Sequence, residues 1–141
     1  MKELHSVDDV RRLLADVDWD DAIIRELVVQ SPSYLSDDGY MVAPNAAPSL
    51  RLVVMSADSA CASIELVADE VEEVAVSYGT DLSPTVTLVQ GVFEIQLRER
   101  APCSIRARRL RGRRLEPDEI RGWRAGLASS PMFDKSGMPP S

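Results

Sequence analysis

Between residues 22 and 110 the chain is a succession of short apolar, β-branched runs whose connections are mostly too brief to hold a crossover helix. The runs are AIIRELVVQ (22–30), LRLVVMSA (50–57), ASIELVA (62–68), VEEVAVSY (71–78), PTVTLVQGVFEIQLRER (84–100) and SIRARRL (104–110). Parallel neighbours need a crossover of a dozen or more residues, usually helical, whereas antiparallel strands can be joined by two. The spacing therefore predicts an antiparallel sheet of six to eight strands, curved or folded into a sandwich, in the α+β, mainly β class. LRLVVMSA is apolar on both faces, as a central strand would be. SDDGY (36–40) is a turn signal, with YMVAP pairing after it. The 84–100 run is too long for one regular strand, so Gly91 marks a bulge or a turn, with Phe93, Ile95 and Leu97 on the buried face beyond it.

A helix is predicted at each end. Ser6 is a good N-cap with Asp9 three residues on, and Val7, Val10, Leu13, Leu14 and Val17 recur at helical spacing, giving a helix over 6–17. Pro117 suits the first turn of a closing helix over 117–127, with Ile120, Trp123 and Leu127 as its apolar stripe. Residues 1–127 read as one globular domain, and 128–141, rich in turn formers and without a period, as a disordered tail.

Charge divides the chain. Residues 1–80 carry sixteen acids and five bases, and residues 81–141 carry seven acids and eleven bases, within a net charge of −7. Such lopsidedness points to a partner or to an internal match between the halves. No apolar run approaches the roughly 18 residues of a membrane span, and MKELHSVDD lacks the apolar core of a leader, so a cytoplasmic location is expected. Cys61 and Cys103 fit no metal spacing and read as buried free thiols.

DVDWDD (16–21) concentrates acids around a tryptophan and is the place to look for chemistry. As a calcium loop it has Asp16, Asp18 and Asp20 at positions 1, 3 and 5. It has Asp21 where a turning glycine is required and Leu27 where a bidentate glutamate is required. An aspartate nucleophile for phosphoryl transfer would end a parallel strand, not an amphipathic helix. His5 is the lone histidine and no G-x-S-x-G elbow or glycine-rich phosphate loop occurs. No catalytic residue, metal ligand or cofactor site is assigned, and the chain reads as a binding protein rather than an enzyme.

RARRLRGRRL (106–115) is the second dense feature. A nucleic-acid surface would interleave such arginines with exposed aromatics, but Trp123 is the only one near, and an acidic chain repels phosphates at long range. Internal ion pairs or a protein contact are expected ahead of nucleic acid, with Arg111 and Arg113 as the residues to watch.

The segment D-W-D-D-A-I-I-R-E-L resembles the opening motif W-H-D-[AS]-x-[ILV] of several families of small bacterial proteins, immunity proteins of polymorphic-toxin systems among them. It reads Trp19, Asp20, Asp21, Ala22, Ile23, Ile24, with Asp20 where those families usually have histidine. The resemblance implies a compact antiparallel β protein that acts by binding. On this reading Trp19 anchors the handover from helix to strand. Asp21 accepts backbone N–H groups there or pairs with a late arginine, and Asp16, Asp18 and Asp20 form a solvated rim. Asp18, Asp20, Asp37 and Asp38 would face a basic protein partner such as a toxin. The rival expectation is a structural homo-oligomer whose basic strand meets a neighbour's acidic surface. A hydrolase with a hidden site or a nucleic-acid binder stands behind both.

Overall fold

The computed structural model of the chain describes residues 1–44, 46–56, 62–77, 81–99 and 103–124, of which 121–124 by backbone alone. Tyr78, Cys61, Leu127, the 128–141 tail and the side chain of Trp123 lie outside the described residues.

The fold begins with a strand the sequence pattern does not announce, β1 (Lys2–Leu4), and then helix α1 (Val7–Leu14). Ser6 Oγ accepts the Asp9 N–H at 3.1 Å, satisfying one of the helix's first donors, and the Asp9 carboxylate accepts the N–H of His5, just before the cap, at 3.0 Å. The helix stops three residues before the predicted end. Asp16 and Val17 N–H groups bond back to Leu13 and Leu14 carbonyls at 3.2 Å, tightening the last turn while Val17 stays buried.

Six further strands build the main sheet: β2 (Ala22–Gln30), β5 (Ser49–Ser56), β6 (Ile64–Ala75), β7 (Thr85–Val89), β8 (Val92–Gln96) and β9 (Ser104–Arg114). Their order is β2-β5-β6-β9-β8-β7, antiparallel throughout. Pairing with β8 covers Ser104–Ala107 of β9, and β1 takes the same edge further on, over Leu110–Gly112. A separate hairpin, β3 (Tyr34–Leu35) with β4 (Met41–Val42), projects between β2 and β5 in the chain. The expected α+β, mainly β architecture is what the chain adopts.

One expectation needs correction, and one open alternative is resolved. ASIELVA and VEEVAVSY do not make two strands: residues 64–75 are one strand, β6, bent where Glu70 takes φ +53°. Ala68 and Val71 are both core residues with Asp69 and Glu70 between them. Across the pair, Ala107 and Leu110 are both core, with Arg108 and Arg109 exposed between them. Both strands thus shift phase at one place, which keeps apolar residues on the core face. The acidic pair at 69–70 looks like a turn signal in sequence, but pairing with β9 on both sides of it, with a register shift between Val71 and Glu73, overrides it. Gly91 resolves as a turn: Gln90 (φ +53°) and Gly91 (φ +76°) both have positive φ, the signature of a two-residue hairpin joining β7 and β8.

One face of the sheet carries Leu50, Leu52, Ile64, Leu66, Ile105 and Leu110, and α1 covers part of it with Val10, Leu13 and Leu14. At Gly112 the helix comes so close that an added Cβ would overlap Leu13 Cδ2. On the second face Val53 packs with Leu115 and Ile120, the last from α2 (Pro117–Arg124). Among the described residues no helix is long and apolar enough to cross a membrane.

Candidate functional site

The acidic corner is held by backbone bonds more than by its carboxylates. Asp16 C=O accepts the Ala62 N–H (3.1 Å), the Asp18 N–H donates to Ser56 Oγ (3.2 Å), and Ser56 Oγ donates to Ala62 C=O (3.0 Å). These tie the loop to the β5–β6 end. Asp18 Oδ1 accepts the Asp20 N–H (3.3 Å) and so caps a single 3-10 turn, Trp19–Asp21. Trp19 is half-buried against the core and its Nε1–H donates to Leu14 C=O at 2.7 Å. Asp21 is exposed. Capping falls to Asp18, and the late arginine Arg114 faces Asp16 (3.8 Å).

The arginine strand is answered from within. Arg111 pairs with Asp69 (3.0 Å), Arg109 with Glu3 (2.6 Å), Arg108 with Glu72 (3.0 Å), and Arg106 lies 3.6–3.9 Å from Glu72, Glu73 and Glu94. Across the second face runs a ladder from Glu26 through Arg51, Glu65 and Arg113 to Glu119, with closest contacts of 2.6, 2.5, 3.1 and 2.8 Å. Glu65 is its centre and only 5% exposed. Burial pushes its carboxyl up, but hydrogen bonds from Arg51 and Arg113 outweigh that and hold it below the usual glutamate value. Glu119 also accepts the Glu116 N–H (2.7 Å), so one side chain caps α2 and ends the ladder.

Exposed apolar surface gathers on the β3–β4 hairpin. Tyr34, Leu35, Tyr40 and Met41 are 57%, 68%, 73% and 69% exposed, and Val28 and Val29 at the end of β2 are also exposed. Single exposed apolar residues are ordinary, but four on one nine-residue hairpin mark a surface. The hairpin is well held: the Ser36 N–H reaches Tyr40 C=O (2.8 Å), the Gly39 N–H reaches Ser36 C=O (2.9 Å), and Ser36 Oγ accepts the Tyr40 N–H (3.2 Å). Asp37 and Asp38 are exposed at its tip.

The sequence-predicted binding residues therefore occupy three places. Asp18 and Asp20 come just before β2, whereas Asp37 and Asp38 lie on the hairpin that follows it, and β2 itself spans roughly 26 Å in eight strand steps. Arg111 and Arg113 belong to the ionic face. The hairpin's tyrosines and methionine, and Glu65, are not legible as site residues in sequence; the only signal was YMVAP after a turn, apolar with nothing assigned to cover it. Among the described residues no three His, Cys, Asp or Glu side chains are grouped to hold a metal ion. No known protein family, curated protein or solved structure matches the chain.

Proposed function

We propose that this chain is a non-enzymatic protein-binding protein of the immunity type, and that its partner docks on the β3–β4 hairpin. The observation that carries this is the cluster of Tyr34, Leu35, Tyr40 and Met41, all more than half exposed on a hydrogen-bonded hairpin. Aromatic residues and methionine are enriched at the centres of protein interfaces, and charged residues at their rims. Asp37 and Asp38 supply an acidic rim, which selects a partner whose complementary apolar patch is edged with basic groups. Charge of that kind speeds encounter and weakens with salt, while the apolar anchors set the lifetime of the complex. The resemblance around Trp19 points in the same direction, toward a basic toxin as partner.

The test is a pull-down and titration with the product of the adjacent gene, at low and high salt. Tyr40→Ser/Met41→Ser should weaken binding about thirtyfold or more, the scale of losing anchor residues. Asp37→Asn/Asp38→Asn should slow association and flatten its salt dependence. Asp18→Asn/Asp20→Asn, at the far end of β2, should leave binding unchanged. Loss of binding only in Arg111→Ala/Arg113→Ala would reverse the polarity and move the site to the ionic face. Binding to oligonucleotides with a steep salt slope would replace the reading with a nucleic-acid one.

A further inference from the structure

We infer that the opposite edge of the sheet, β7, is a self-association surface, and that two copies of this chain pair there into one continuous antiparallel sheet. The two edges are built differently. On β2, Arg25 and Glu26 fall at a register break between Ile24 and Glu26, and charge with a bulge is how proteins keep an edge from pairing. On β7 the run is Thr85-Val86-Thr87-Leu88-Val89, with no charge, no proline and an unbroken register. Thr85, Thr87, Leu88 and Val89 are exposed.

The hairpin fixes which backbone groups this edge offers. Val89 and Val92 flank a two-residue turn, so they form the doubly hydrogen-bonded pair, and Thr87 and Thr85 follow in the same sense. The N–H and C=O of Val86 and Leu88 then face away from β8, and β7 ends the strand order. A second copy related by a two-fold axis at Thr87 places Val86 opposite Leu88 of that copy, and Leu88 opposite its Val86. All four outward N–H groups and carbonyls of each pair are met, giving four hydrogen bonds with no like charges opposed.

The side chains agree with this register. Val86 is buried and lies on the α1 side of the sheet, so Leu88 of the second copy enters on that side. There a groove of about 660 Å³ lies beside β7, with Leu14, Trp19, Leu82 and Val86 among its apolar lining and Arg11 and Asp20 as its charged lining. The groove takes the leucine against Trp19 and Val86. This uses the edge of the sheet remote from the β3–β4 hairpin and leaves the hairpin's partner surface open, so either reading can fail without the other.

Five paired residues and one anchor per copy make an interface at the low end of the specific range. In sedimentation of the full chain, the mass should therefore climb from monomer to dimer over roughly 1–100 μM, as a micromolar Kd gives. Thr87→Lys and Thr87→Glu place like charges face to face across the axis, so each variant should remain monomeric with an unchanged circular dichroism spectrum. Mixed in equal amounts they should return to a dimer, because lysine now faces glutamate. Val29→Lys, on the other edge, should dimerise like the wild type. If Thr87 variants fail to fold, Leu88→Asn, at a side chain exposed in the monomer, takes their place and should be monomeric. A wild type that stays monomeric, dimers that persist in the Thr87 or Leu88 variants, or loss of the dimer in Val29→Lys would overturn the proposal.

Discussion

Replacing Glu65 by glutamine tests whether the ladder on the second face is a source of stability or only a solvated pattern. The carboxylate is 5% exposed and receives Arg51 Nε at 2.5 Å and Arg113 Nε at 3.1 Å. Glutamine keeps the shape and one carbonyl acceptor but removes the charge and turns an acceptor into a donor facing a guanidinium. Breaking a fully buried ion pair costs about 3–5 kcal/mol, largely from the charge left unpaired. Here the remaining arginines are not stranded. Arg51 keeps Glu26 at 2.6 Å, Arg113 keeps Glu119 at 2.8 Å, and their side chains are 39% and 35% exposed. The loss should fall to about 1.5–3 kcal/mol, the range for hydrogen bonds to charged groups. Urea melts at pH 7 measure it as a lower midpoint at unchanged slope.

The pH dependence separates charge from packing. Glu65 has a folded pKa below the ordinary value of 4.5, so its stabilising contribution is fully present above that pH and fades as pH falls through the folded value. The gap between wild type and Glu65→Gln should therefore be constant from pH 7 to about 5 and narrow progressively below about 4.5. A gap that is absent at pH 7, or that stays constant into the acid range, refutes the reasoning. In the first case the ladder contributes nothing, and in the second the loss is steric.

Trp19→Ala should cost about 2–4 kcal/mol in a denaturant melt, since a half-buried ring and its bond to Leu14 C=O are both lost. Asp18→Ala should cost about 0.5–1 kcal/mol for the lost cap, and Asp20→Ala less than about 0.5 kcal/mol. Gly112→Ala should destabilise by about 1–3 kcal/mol through overlap with Leu13. Leu13→Ala in the same chain should remove part of that cost, so that the double variant is less unstable than the sum of the two. Gln90→Asn should stabilise by about 0.5–1 kcal/mol, read as a higher melting midpoint, because asparagine tolerates the positive φ of this turn better.

Local chemistry is what the sequence made readable. Ser6 and Asp9 announced the start of α1, Phe93, Ile95 and Leu97 their buried face, and Pro117 the start of α2. Each of these depends on residues within one turn or one strand. What stayed hidden depends on strand pairing. Glu65 alternates with Ile64 and Leu66 and so reads as a solvent-facing acid, until β5 and β9 set an arginine on either side of it. The bend at Glu70 reads as a turn because its continuity is supplied by β9, forty residues later. Read from sequence, the backbone N–H groups of this corner go to Asp21 and Asp18 stays on the rim, whereas the observed turn, starting at Trp19, makes Asp18 the cap.

The charge asymmetry between the halves follows from that same pairing. Arg106, Arg108, Arg109, Arg111, Arg113 and Arg114 each lie within 4 Å of at least one carboxylate from the acidic half: Glu3, Asp16, Glu65, Asp69, Glu72 or Glu73. The acidic strand β6 and the basic strand β9 are neighbours, so a run that looks like a ligand surface in sequence is answered across one antiparallel pair. A phosphate or an acidic partner would meet guanidiniums whose charge these carboxylates already offset, which weakens the attraction. Acids at loop tips have no such neighbour strand. Asp37 and Asp38 stand exposed on the hairpin that carries the exposed Tyr34 and Tyr40, and on the proposed function they are the charge offered to the partner. On the proposed function, acid and apolar surface meet on the β3–β4 hairpin, while the arginines of β9 pair with carboxylates of the acidic half.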